Sequence, residues 1–319
     1  LGSDEMTVRT LPSGKLKWTW SSVFETGWGA RVYPYLMVMP ALVVVLGVVV
    51  YPVFSGIASA FYDVTLKTLN TGGVIFVGLR NFERVFADPV FLQASTNTLV
   101  WVVLNVVAQL VLGLALALLL HRAMPGIGFF RSGILVPWVV PSVVAVLTWR
   151  WMYDPSVGIA NELLIRLGII DDYHPWLGDT ATSLYAVTVE SIWKGTPFVM
   201  LLLLAALQLV PRSIIEAASM DGASGWRKLW YVILPQIRVS FAIAAVLTFI
   251  LTVNNFNAIW LMTEGGPLNS SEILFTLAYK YGFKRFDLGM ASAVATMLFV
   301  GLVIATTVYL KLIQAREGD

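Results

Sequence analysis

Six stretches of this chain run for eighteen residues or more with almost no charge, and they limit its fold more than any other feature. Residues 32–62, 89–120, 132–149, 239–263 and 288–310 hold no Asp, Glu, Lys or Arg, and residues 183–210 hold only Glu190 and Lys194. A helix needs about 20 largely apolar residues to cross the hydrocarbon of a bilayer. The expectation is therefore an all-α membrane protein with about six transmembrane helices. The third stretch is the shortest and carries Pro137 and Pro141, which leaves its ends the least defined by pattern. A β-barrel would alternate apolar and polar residues in segments of about ten. The run from Leu110 to Leu120 does not alternate, so a barrel is excluded. Composition agrees: 13% of the 319 residues are charged and the mean hydropathy is +0.78, whereas soluble domains carry about 25% charged residues.

The first apolar stretch follows about thirty more polar residues and is long enough to span, so it reads as an anchor and not as a cleavable leader. Lys and Arg number twelve in the terminal segments and the even-numbered loops, against eight in the odd-numbered loops. By the positive-inside rule this bias puts both termini in the cytoplasm. The expected organisation is a cytoplasmic segment 1–32, a transmembrane domain 33–313 and a cytoplasmic tail 314–319. Several tryptophans lie near span ends (Trp138, Trp149, Trp151, Trp176, Trp193, Trp226, Trp230 and Trp260), as interfacial anchors do. Cysteine is absent, which excludes disulfides and thiolate metal sites. With two histidines, no HExxH pattern and no sign of a catalytic dyad, no catalytic or metal-binding residue is nominated.

The loop between the fourth and fifth spans, 211–235, is the most informative polar segment. Ser213 and Glu216 have the spacing of a capping box, which would start a short helix. Gly222 is a natural stop, because glycine takes the left-handed conformation without a Cβ clash. Beyond it, Trp226, Leu229, Trp230 and Ile233 form an i, i+3, i+4, i+7 apolar stripe, with Arg227 and Lys228 turned away. That piece should lie along the membrane surface and end at Pro235.

Read as a motif, the segment is Glu216-Ala217-Ala218, then Asp221-Gly222, then Val232-Ile233-Leu234-Pro235 nine residues on. It resembles the EAA signature of membrane subunits of binding-protein-dependent ABC importers, with valine where the family prefers isoleucine. Three further stretches resemble the carbohydrate-uptake branch of that family: Gly78-Leu79-Arg80-Asn81-Phe82 with Asn97-Thr98, Trp193-Lys194-Gly195-Thr196-Pro197-Phe198, and Thr263-Glu264-Gly265-Gly266-Pro267. The resemblance covers about residues 33–312 and is greatest to subunits of the maltose-permease type, without their extra N-terminal helices and large periplasmic insertion. It implies a MetI-like importer-permease fold in a bacterial plasma (inner) membrane. It also implies the partners: a second homologous permease subunit, two ATPase subunits and an extracytoplasmic solute-binding protein. Glu216, Ala217, Ala218, Asp221 and Gly222 would form a cytoplasmic coupling helix, Glu216 meeting a basic residue of the ATPase. ATP and Mg²⁺ would belong to the ATPase. No G-x-x-x-x-G-K-[ST] loop occurs, since Gly14-Lys15 is followed by Leu16, and nothing in the pattern suggests nucleic acid.

The same resemblance puts solute contacts on Trp138, Ser191, Lys194, Gly195, Phe198, Thr248, Thr252 and Asn255. Those on the fourth stretch share one helical face, as do those on the fifth by spacing. Departures from the maltose-permease pattern at Ser191, Lys194, Phe198 and Thr252 make maltose itself doubtful and leave another oligosaccharide, a uronate or a sugar phosphate open. Cross-helix hydrogen bonding alone would also suit Thr248, Thr252 and Asn255. Lys194 has two readings: an i, i+4 ion pair with Glu190, or a contact for an anionic group on the solute. An ion-coupled secondary transporter is the rival class, and it would need ionisable groups within the spans, where only Glu190 and Lys194 qualify.

Overall fold

The computed structural model describes residues 28–122 and 125–315; most of the expected N-terminal segment and tail lies outside the described residues. Among the described residues five helices are long and apolar enough to span: Val32–Ser59, Pro89–His121, Ser183–Gln208, Arg238–Thr263 and Leu288–Lys311. A sixth span is made of two pieces, Ile127–Val139 and Ser142–Met152, bent by 91° at their junction. The prolines foreseen there explain the bend. Pro141 has no N–H to give the carbonyl of Pro137, four residues back, and its ring forces Val140 out of the helical region, to ψ 132°.

The chain separates into two compact units, 1–56 and 57–319. Of the first, the described part is helix, and the apolar window of its span has no buried residue. As a helix it closes its own backbone hydrogen bonds, which a segment crossing the bilayer requires.

In the second unit the core forms where the second and fourth spans touch. Ala117, Val199, Met200 and Leu203 are fully buried there. Gly113 allows the approach: a Cβ on it would sit 2.6 Å from Val199 Cγ1 and 3.1 Å from the Met200 nitrogen. Gly113→Ala is therefore expected to destabilise the detergent-solubilised chain by about 1–3 kcal/mol, the usual cost of overpacking. Thermal unfolding followed by fluorescence checks this.

At the end of the bundle formed by the odd-numbered loops, short elements are tied down by side-chain amides. Asn81, 2% exposed, donates to the carbonyls of Ala60 and Tyr62 at 2.9 and 2.8 Å. Asn97 donates to the carbonyls of Asn269, Ser270 and Glu272. Thr98 Oγ1 accepts from Leu274 N at 2.9 Å, and Thr263 Oγ1 lies 2.7 Å from Ser271 Oγ. Residues of two of the three resembling stretches thus fix the loops over the spans. Charge helps, with Arg84 on Asp287 at 2.6 Å and Lys280 on the buried Glu272. Asp88 accepts from Tyr281 Oη at 2.6 Å. Burial pushes the Asp88 carboxyl up, but hydrogen bonds from Tyr281, Val90 N–H and Arg285 outweigh it and hold it below its ordinary value.

At the opposite end, the loop after the fourth span forms a helix, Arg212–Met220, as expected, but the capping box does not form. Pro211 takes the N-cap position (φ −61°, ψ 128°) and offers no side-chain acceptor, so Ser213 already lies inside the helix. The C-terminus follows expectation closely. Gly222 has φ +75°, its N–H donates to Ser219 O at 3.1 Å, and Ala223 N–H donates to Ala218 O at 3.0 Å. That pair of bonds is a Schellman motif. A second helical run starts at the N-cap Ser224 and continues through a π turn, Leu229–Ile233, to Gln236. It passes through Pro235 rather than ending there. The wider turn, with Leu234 N–H bonded to Leu229 O, brings the chain round to a proline that has no N–H of its own. Leu229 and Ile233 are half-buried, while Trp226 and Trp230 are 69% and 52% exposed and touch edge to face.

Candidate functional site: a polar cavity at two helix breaks

The fifth span, read in sequence as one unbroken helix, is broken as well. Its first part ends at Val253, and Asn255 (φ −80°, ψ 78°) caps a new helix, Phe256–Thr263, by accepting from Ala258 N at 3.4 Å. Asn255 therefore lies past the helix that carries Thr248 and Thr252, not on its face. Trp101, fully buried in the second span, donates its indole N–H to the Thr252 carbonyl at 3.0 Å beside the break. Within a membrane, irregular backbone is tolerated where protein buries it or where it lines a cavity. Both conditions hold here.

A cavity of about 200 Å³ lies between the break in the third span, the middle of the fourth and the break in the fifth. All eight residues nominated from the sequence line it: Trp138, Ser191, Lys194, Gly195, Phe198, Thr248, Thr252 and Asn255. Sequence reasoning missed Gln109, Ser142 and Asn257, and it weighed Glu190 as a partner for Lys194 or as an ion site of the rival class, not as a solute contact. Gln109 could have been found as a polar residue in an otherwise apolar run, four positions after Asn105.

The polar atoms divide into those satisfied by the protein and those that are not. Gln109 donates to Asn105 Oδ1 at 3.1 Å and to Ser191 O at 3.4 Å. Gly195 makes room for it, since a Cβ there would run into the Gln109 carboxamide. Asn255 Nδ2 donates to Ser191 Oγ at 3.3 Å. Lys194 does not pair with Glu190. Its ammonium donates to Val140 O at 2.6 Å and Pro137 O at 3.3 Å, two carbonyls at the break, the second being the one Pro141 leaves without a donor. Glu190 is 1% exposed and neither carboxylate oxygen has a hydrogen bond; Thr248 Oγ1, on a residue 2% exposed, has none either. Trp138 stacks on Phe198, with ring centroids 6.0 Å apart and planes 25° apart.

The five residues of the EAA stretch lie elsewhere, on and just after the helix Arg212–Met220. Glu216, Ala217, Asp221 and Gly222 are placed at the outer surface of this end of the chain apart from Ala218 and the half-buried face beside it. Among the described residues, no side chain bonds to Glu216.

Five or six spans, two of them broken around one small polar cavity, define a multi-pass membrane protein with a solute-sized polar chamber between its helices. The chain belongs to the family of inner-membrane components of binding-protein-dependent transport systems, whose model matches residues 10–317. It is 35% identical over 284 residues to the trehalose/maltose transport system permease protein MalF of Thermococcus litoralis, covering 89% of this chain and 94% of that one. It is 31% identical over 291 residues to the sulfoquinovosyl glycerol transport system permease protein SmoG of Agrobacterium fabrum, covering 91% and 92%. In fold it is similar to a chain of a bacterial ABC transporter involved in import of the acidic polysaccharide alginate, with TM-score 0.77, 20% identity, and 90% and 96% of the two chains covered.

Proposed function

We propose that this chain is one of two membrane subunits of an ATP-driven importer that carries a sugar inward through the cavity at the helix breaks. Its partners are a second homologous permease subunit, two ATPase subunits that bind ATP and Mg²⁺, and an extracytoplasmic solute-binding protein. The helix Arg212–Met220 docks on an ATPase subunit and transmits its movement. Family membership supports the transport role, and the sugars for which the two relatives are named support a carbohydrate.

The observation that carries the reading is the cavity itself. It combines a stacked aromatic pair, on which the apolar face of a sugar ring can lie, with polar atoms that the protein leaves unpaired. The coupling role rests on the rigid Schellman-capped helix and on its exposure, with Met220 89% exposed. A large apolar side chain so placed is suited to a partner's surface.

In this reading both termini and the helix Arg212–Met220 face the cytoplasm, and the odd-numbered loops face outward. Because the chain has no cysteine, single-cysteine labelling tests the arrangement without background. Leu268→Cys, at a position 84% exposed, is expected to react with an impermeant maleimide in intact cells. Met220→Cys is expected to react only after the membrane is opened. Labelling of Met220→Cys from outside would overturn the topology, and with it the coupling role.

A further inference from the structure

Resting on the sugar-carrier reading, we propose that Glu190 is the residue of the cavity that reads the solute, and that it selects an uncharged, hydroxyl-rich sugar. Lys194 serves the helix break and does not read charge.

A carboxylate at this depth without a partner is costly, so a membrane-buried acid is normally paired or functional. Glu190 is 1% exposed, lines the cavity and accepts nothing from the protein. Thr248 Oγ1, in the same wall, is also unpartnered. Three other polar side chains around the space have partners: Gln109 in Asn105 and the Ser191 carbonyl, Asn255 in the Ser191 hydroxyl, and Lys194 in the two carbonyls of the bend. What the chamber presents at its buried depth is therefore the pair of Glu190 acceptors and the Thr248 hydroxyl, with Ser142 and Asn257 also on its wall, beside the stacked Trp138 and Phe198. Two adjacent sugar hydroxyls can donate to one carboxylate, and the C–H face of the ring can lie on an aromatic plane. An anionic sugar meets the opposite situation. It would approach an unpaired carboxylate, and of the three ammonium hydrogens of Lys194 two are already given to the carbonyls of the bend. The sequence left an acidic solute open; the unpaired Glu190 carboxyl in the wall weighs against it.

The test uses the complete importer in proteoliposomes, with loaded binding protein outside and ATP inside. Two series of radiolabelled probes are compared: neutral disaccharides (trehalose, maltose, cellobiose) and digalacturonate. The unaltered complex is expected to take up a neutral probe and not digalacturonate. Glu190→Gln, which keeps the shape, is expected to lower neutral uptake about tenfold, and Glu190→Ala further, since hydrogen bonds to a charged acceptor are among the stronger ones. Both variants remove a buried carboxyl group that has no partner, so the chain is expected to melt no lower than the unaltered one. In Lys194→Met, whatever complex assembles is expected to keep the preference for neutral over anionic sugar. Neutral uptake within twofold of the unaltered complex in Glu190→Ala would overturn the proposal alone. So would uptake of digalacturonate that is lost in Lys194→Met. Absence of ATP-driven uptake of every sugar would overturn the carrier reading and this inference with it.

Discussion

Glu216→Lys and Gly222→Asp are each expected to leave the chain inserted and assembled, yet to reduce stimulation of ATP hydrolysis by loaded binding protein at least tenfold. Neither change touches the packed core. Glu216 lies on the helix Arg212–Met220, which has no buried residue, and no side chain among the described residues bonds to it, so reversing its charge costs the isolated chain little. The loss should appear only where the helix meets a second protein, because a like-charge pair at an interface is strongly unfavourable. Gly222 acts through the backbone. Its φ of +75° is one that L side chains rarely adopt, costing about 1 kcal/mol or more for a residue with a Cβ. An added Cβ meets no atom within 4 Å in this chain, so its effect is that strain, together with bulk presented outward. The new carboxylate would also sit at the negative end of the helix dipole. Normal stimulation in both variants would show that this helix is not the joint.

Lys194→Met is expected to lower the thermal stability of the chain by about 3 kcal/mol, because it leaves the carbonyls of Val140 and Pro137 without a charged donor at the bend. The structure also separates this role from the ion pair expected from the sequence. If Lys194 served only to neutralise Glu190, adding Glu190→Gln would restore stability. Here it is expected not to. Partial rescue should come instead from Pro141→Ala, which returns the N–H that Pro137 O lacks. Thermal unfolding in detergent of the single and the two double variants distinguishes the two roles. Full recovery with Glu190→Gln would show that the pair, not the strap on the break, is what Lys194 provides.

Much of this molecule is legible in its sequence, and what is not has identifiable causes. The spans are legible because apolar runs of such length without charge are what the bilayer demands and water does not. The cavity wall is legible through the family resemblance, and spacing adds that Ser191, Lys194, Gly195 and Phe198 share one helical face. The break at Pro141 is announced by its ring, although the 91° angle depends on packing. The break at Asn254 and Asn255 has no proline or glycine to mark it, and the apolar run continues on both sides. The partners of Lys194 lie 54 and 57 residues away in the chain, so local spacing favoured Glu190, four residues away. The capping box failed for a similar reason: Ser213 and Glu216 have the right spacing, but Pro211 starts the helix before Ser213 can cap it. The unpaired state of Glu190 is a property of three spans together and could not be read from one.

The source of energy for transport is open to a single decisive measurement. Proteoliposomes holding this chain with its second permease and ATPase subunits are loaded with ATP or left without it, and uptake of a neutral disaccharide from its binding protein is followed. Proton and sodium gradients are imposed or collapsed with ionophores in parallel. The importer reading predicts uptake that requires internal ATP and binding protein and is indifferent to either gradient. Uptake that proceeds without ATP and follows a proton or sodium gradient would contradict it, and would make Glu190 the coupling site of a secondary transporter.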